Sequence, residues 1–174
     1  SLTMMFGEVP FLDRFERAAA AGFTAVEYMF PYEYDARVIK EKLARYGLTQ
    51  ALHNLPGGNW AGGDRGIGCL PDRVEEFRSG VETAIAYATT FGCTQLNCLA
   101  GVRPPSLDAT EARDTLIRNL QYAAPRLKAA GIKLLLEAVN TRDIPGFCVS
   151  RTSQALDVID AVGSDNVFLQ YDVY

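Results

Sequence analysis

Five short apolar runs in this chain each finish in a residue that can exchange a proton, bind a cation or hold a polar ligand. They end at Glu27, at His53 with Asn54, at Asn97, at Glu137 and at Asp172. A carboxylate directly after Leu134-Leu135-Leu136 has to be ligated, paired or solvated, because burying its charge alone is costly. For Glu27 or Asn97 taken singly, an ion pair or a hydrogen bond to a neighbouring loop explains the residue as well as catalysis does. Five such positions converging on one rim shift the balance towards a site. Glu137 and Asp172 offer hard oxygen ligands of the kind that suits Mg²⁺ or Mn²⁺, so a divalent metal is an expected cofactor, with further ligands needed from elsewhere. His53 is the only histidine. A lone histidine is more often a hydrogen-bonded core residue than a ligand, yet its place beside Asn54 at a strand end points to substrate contact.

The elements that must carry these residues repeat. Five times a helical pattern ends in glycine before a short apolar run, at Gly22, Gly47, Gly92, Gly131 and Gly163. Glycine accepts the left-handed conformation just past a helix end without a Cβ clash, so each reads as a helix stop. The runs that follow predict strands over 24–28, 49–53, 94–98, 133–137 and 167–172, with 2–6 as the remnant of a first strand. Asp72 with Glu75 and Asp108 with Glu111 have capping-box spacing, and Pro10 suits a first helical turn. Apolar residues at helical spacing follow in Phe77, Val81, Ala84, Ile85 and Ala88, and again from Leu116 to Leu127.

Alternating strand and helix imply parallel strands joined by right-handed crossovers. A doubly wound sheet would be expected to show a glycine fingerprint after its first strand, and Phe6-Gly7-Glu8-Val9-Pro10 supplies none. The expected fold class is therefore α/β, a (β/α)8 TIM barrel. Strand ends then converge on the C-terminal rim, where active sites of that fold sit. A complete barrel takes about 250 residues; the 174 here predict an incomplete one, strands one to six with five helices in a single domain, 1–174. The long glycine-rich stretch 55–71 reads as a functional or disordered loop.

Composition removes other classes. Nearly half the residues are hydrophobic, 48%, and 22% are charged, which is enough apolar material for a substantial core. A net charge of −4, without an arginine- or lysine-rich stripe, argues against a nucleic-acid partner. Charges and glycines interrupt every apolar run, so no membrane span is expected. The first residues lack a signal-peptide pattern. Cys69, Cys93, Cys98 and Cys148 show no C-x-x-C pairing, which suggests four reduced, mostly buried thiols and a cytoplasmic location.

Four separated segments resemble hydroxypyruvate isomerases in order and spacing: His53-Asn54-Leu55-Pro56-Gly57-Gly58-Asn59-Trp60, Asn97-Cys98-Leu99-Ala100-Gly101, Glu137-Ala138-Val139-Asn140-Thr141-Arg142-Asp143-Ile144-Pro145-Gly146-Phe147, and Leu169-Gln170-Tyr171-Asp172-Val173-Tyr174. The match runs along essentially the whole chain. The resemblance implies a xylose isomerase-like barrel that interconverts hydroxypyruvate and tartronate semialdehyde, with a small keto or hydroxy acid as substrate. It makes Glu137 an acid/base residue and a metal ligand, and Asp172 a metal ligand. His53, Asn54 and Asp143 would line or orient the substrate, and Arg142 would pair with its carboxylate. A second catalytic glutamate of the family would lie beyond Tyr174, so the chain alone is expected to be inactive. Ala138 stands where many relatives have proline. 2-Oxo-tetronate isomerases and ketose 3-epimerases remain alternatives, as does a non-catalytic sugar-binding barrel. An endonuclease IV type would need more histidines and a basic face. The open edge of the last strand favours self-association, so a homo-oligomer is a further expectation.

Overall fold

Runs such as Lys133-Leu134-Leu135-Leu136-Glu137 have apolar side chains at consecutive positions, which suits a strand covered by helices on one face and by the barrel interior on the other. The computed structural model, which describes residues 1–173, forms five such strands: β1 (Ala25–Glu27), β2 (Thr49–Asn54), β3 (Gln95–Cys98), β4 (Lys133–Glu137) and β5 (Val167–Gln170). All neighbours are parallel, and their order in the sheet is their order in the chain. A doubly wound sheet reverses strand order at its crevice. This one never reverses, as a barrel requires.

α1 (Arg14–Ala20) precedes β1, and four helices fill the four crossovers: α2 (Ala36–Tyr46), α3 (Val74–Phe91), α4 (Ala109–Ala129) and α5 (Thr152–Val162). α4 shows why they pack as they do. Ala112, Leu116, Leu120, Ala123, Ala124 and Leu127 are buried and fall on one stripe, which faces the sheet. Its N-terminus is capped by Asp108, whose Oδ1 accepts from the backbone N–H groups of Thr110 and Glu111. All five junction glycines adopt positive φ, as their placement in the sequence predicts.

Three local expectations change. Residues 2–6 form turns instead of a strand: the Leu2 N–H donates to Glu27 O at 2.7 Å, but the chain turns away after that bond and Arg14 ties it down through Leu2 O and Val9 O. The sheet therefore has five strands among the described residues, not six. Asp72 does not cap α3, because a 3-10 turn at Pro71–Arg73 intervenes and makes Arg73 the residue before the helix. Pro10 likewise precedes a 3-10 turn, Phe11–Asp13, and not the first turn of α1. β5 ends at Gln170, which leaves Asp172 just past the strand, and Tyr174 lies outside the described residues.

The stretch 55–71 is ordered. Asp64 is its hub, accepting from Asn59 N at 2.6 Å and pairing with Arg73 at 2.7 Å. Gly66 is bridged to Ala100 beyond β3, and there the backbones come so close that a Cβ at Gly66 would run into the Leu99 carbonyl, and one at Gly101 into the Gly66 carbonyl. Both residues also have positive φ, so glycine is required twice over. Among the described residues, no helix is long and apolar enough to cross a membrane, and all four cysteines are free thiols.

Candidate active site

Successive residues of a strand point to opposite faces, and register decides which polar side chains meet. Asn54 is opposite Asn97, Asn97 is opposite Leu135, and Glu137 is opposite Gln170. Asn54, Asn97, Glu137 and Gln170 therefore share the inner face at the carboxyl ends of β2, β3, β4 and β5.

The inner face is wired together. The Asn97 amide donates to Asn54 Oδ1 at 3.0 Å and to Glu137 Oε2 at 2.9 Å. The Asp172 carboxyl lies beside that of Glu137 and raises its pKa through hydrogen bonding and charge. Burial first, then these two effects of Asp172, and last the charge of Glu27, push the Glu137 carboxyl up to about 7; the bond from Asn97 pulls the other way. An acid poised at neutral pH can both take and return a proton. Two buried acceptors, Asn97 Oδ1 and Gln170 Oε1, have no hydrogen-bond partner. They await a donor hydroxyl or a cation.

That donor set bears on the expected metal. Adjacent carboxylates and unpartnered amide oxygens are hard ligands of the type Mg²⁺ and Mn²⁺ prefer, so the residues present fit such an ion in kind. They do not complete a shell: among the described residues, no group of three or more His, Cys, Asp or Glu side chains converges.

The other expected site residues separate. His53 immediately precedes Asn54 and so points the opposite way, out of the barrel towards α3. Its ring is fully buried between Tyr28 and the edges of Tyr32 and Phe91, with centroids 6.4, 6.0 and 5.7 Å away. Neither ring nitrogen has a partner, and burial holds its pKa down at about 3. His53 and Asn54, expected as substrate contacts, therefore lie on opposite faces of β2, and only Asn54 faces the inner side. Arg142 and Asp143 sit on an exposed turn after β4, which Asn140 organises by accepting from both backbone N–H groups at 3.0 Å. Asn97, one of the strand-end residues singled out in the sequence, carries the network, and Gln170 joins it on the inner face although it does not stand out there. Their signal is an amide at an inward position on a strand that is otherwise apolar.

The sequence profile described as a xylose isomerase-like TIM barrel matches residues 15–174. The chain belongs to the xylose isomerase-like TIM-barrel family. Within that family it is 51% identical over all 174 residues to hydroxypyruvate isomerase of Escherichia coli K12, of which it covers 67%. It is 41% identical, again over its full length, to 2-oxo-tetronate isomerase of Pectobacterium atrosepticum, of which it covers 66%. A crystal structure described as an AP endonuclease of family 2 from Brucella melitensis superposes with a TM-score of 0.96 at 42% identity, over 99% of this chain and 67% of that one. The chain thus spans about two thirds of the length of the family members it matches, and the two curated relatives are isomerases by name. The incomplete α/β barrel expected from the alternating pattern is the architecture of the family.

Proposed function

We propose that the protein is an aldose–ketose type isomerase that interconverts hydroxypyruvate and 2-hydroxy-3-oxopropanoate (tartronate semialdehyde), with Glu137 as an acid/base residue. The observation that carries this reading is the placement of Glu137: inward at the end of β4, held by Asn97 and beside Asp172. Likeness along the whole of this chain to two thirds of a hydroxypyruvate isomerase supports the substrate class.

The reaction moves one carbon-bound proton between neighbouring carbons. Glu137 takes the proton from C3 of hydroxypyruvate, and the electron pair of that bond forms the C2–C3 double bond of an enediolate. A proton is returned to C2, and the hydroxyl proton on the C3 oxygen passes to the C2 oxygen, so the aldehyde forms at C3 and a hydroxyl at C2. Asn97 aims the carboxylate by donating to Oε2. Asn54 is fixed in the same network and presents its side chain to the inner face. Arg142, at the exposed rim, is placed to meet the carboxylate of an incoming keto acid, with Asp143 beside it on the same turn. Glu137 and Asp172 would hold a divalent metal, which when bound supplies positive charge for the enediolate oxygens.

A second reading, 2-oxo-tetronate as substrate, is favoured by the 41% identity to an enzyme of that name. The two differ by one carbon, and a ratio of kcat/KM for the two acids decides between them. A nuclease reading gains little from the residues, because the only histidine faces the helices and the net charge is −4.

The test is turnover of hydroxypyruvate by the full-length protein and by Glu137→Gln. Loss of turnover in a folded variant is the expected result. Turnover equal to the parent protein would sink the acid/base assignment.

A further inference from the structure

Two of the four thiols meet outside the active site. Cys69 ends the ordered stretch 55–71, and Cys148 lies in the loop between β4 and α5. Their backbones are pinned to consecutive residues of one segment: Cys69 N donates to Ala100 O and Cys148 N to Gly101 O, each at 2.8 Å. The two side chains are close enough to act on each other, Cys148 raising the Cys69 thiol and Cys69 lowering the Cys148 thiol.

Their surroundings are unequal. Cys69 is fully buried, whereas Cys148 is part-exposed and lines a cavity of about 290 Å³ with Arg103, Arg113 and Gln154. Cys69 first, and then the charge of Arg103, hold the Cys148 thiol below its ordinary value. Cysteines that attack an incoming oxidant occupy such electropositive, partly open places, and buried ones are inert towards it. Cys93 and Cys98 are of the inert kind, both buried and both raised by burial.

We infer that Cys148 and Cys69 form an oxidisable dithiol, with Cys148 as the attacking thiol that meets a small peroxide in the cavity and Cys69 as the resolving thiol. Cys148 attacks one oxygen of hydrogen peroxide. The O–O bond breaks, the sulfur becomes a sulfenic acid, and the other oxygen leaves as water after taking up a proton. Cys69 sulfur then displaces the sulfenic oxygen as a second water, forming the S–S bond. Two thiols lose two electrons, and one peroxide gains them. Forming the bond brings the sulfurs to about 2.0 Å. The resulting bond ties the stretch that leaves Asn54 to the loop that leaves Glu137, so the two loops flanking the candidate active site become one covalent unit. The chemistry does not depend on the isomerase reading.

The test is stoichiometric hydrogen peroxide applied to the full-length protein, followed by alkylation and tryptic mass spectrometry. The expected product joins peptides 66–73 and 143–151 at a mass two hydrogens below their sum and reverts with reductant. In Cys69→Ser the same treatment leaves Cys148 as a sulfenic acid trapped by dimedone, and in Cys148→Ala peptide 66–73 stays reduced. Circular dichroism checks both folds, and Cys148→Ala, at the part-exposed position, is the variant retained if Cys69→Ser fails to fold. Both peptides remaining reduced, Cys69 joining Cys98 instead, or Cys93 and Cys98 reacting as fast as Cys148 would each overturn the assignment.

Discussion

Glu137 ends β4 half-buried, His53 sits one residue before the end of β2 fully buried, and both are driven towards their neutral forms, yet they lie on opposite sides of the sheet and do opposite things. Glu137 faces inward into a network of Asn97, Asn54 and Asp172. His53 faces the helices, where three aromatic rings surround it and nothing receives or donates a hydrogen bond. Burial alone therefore does not make a functional group. What distinguishes Glu137 is burial together with a neighbouring carboxyl, Asp172, and a donor that fixes its orientation. On the inner rim a donor links Asn54, Asn97 and Glu137, whereas on the outer face the His53 ring has no polar partner at all.

The comparison breaks first on turnover. Glu137→Gln keeps an oxygen for the Asn97 amide but loses the carboxylate, so turnover of the proposed substrate should fall on the order of 10²–10⁴-fold while the chain stays folded. His53→Phe should leave turnover close to the parent value and should preserve or slightly raise stability, since it removes two unpartnered nitrogens worth about 1 kcal/mol or more of desolvation. A His53→Phe variant as inactive as Glu137→Gln would erase the distinction between the two faces.

The same pair differs in how stability follows pH, measured by urea denaturation with chelator present. His53 binds a proton below its ordinary 6.5 when unfolded, but not until about 3 when folded. The unfolded state then holds more protons, so stability falls as pH drops from 6.5, by about 2 kcal/mol at pH 5. Glu137 has the opposite sign. Folded, it keeps its proton up to about 7, and unfolded it releases it above 4.5, so its cost at neutral pH disappears as the pH falls through that window. The two slopes oppose each other in the parent protein between about pH 4.5 and 6.5. Glu137→Gln should expose the acid-side loss due to His53, and His53→Phe should expose the acid-side gain due to Glu137. Identical profiles for the two variants would refute this division.

Much of this was legible in the residues. Helix ends announced themselves through glycines whose positive φ only glycine adopts cheaply, and Asp108 with Glu111 fixed the start of α4. Glu137 was legible because a carboxylate after three leucines needs a reason. The direction of His53 was not, since it depends on register: β1 and β2 pair with a shift between Val26 and Glu27, and such a slip inverts the faces beyond it. Asp72 misled because its capping spacing was spent on a 3-10 turn that tertiary contacts impose. The pairing of Cys69 with Cys148, 79 positions apart, has no local pattern at all and arises only because both loops anchor on Ala100 and Gly101.

A smaller effect tests whether the inner network acts as a unit. Asn97→Ala removes one amide that serves two acceptors and leaves Asn54 Oδ1 and Glu137 Oε2 without their donor. A loss of about 1–3 kcal/mol in denaturant unfolding is expected. Because the Asn97 bond holds the Glu137 pKa down, its removal should also move the acid limb of the kcat/KM profile upward. A stability loss with an unmoved limb would make Asn97 a packing residue and nothing more.

Arg142 is predicted to give the smallest change in the folded molecule. Its side chain is exposed on the Asn140-organised turn, and its backbone N–H bonds to Asn140 Oδ1 whatever the side chain is. Arg142→Ala should therefore shift unfolding by no more than about 0.5 kcal/mol. If the guanidinium meets the substrate carboxylate, KM should rise with kcat little changed, because such a contact is equal in ground and transition states. Arg142→Lys should recover part of that rise, since it restores the charge without the two-pronged geometry. An Arg142→Ala enzyme whose kcat falls while KM holds would place the arginine at the reacting atoms instead, and the rim turn would have to close over the inner face during turnover.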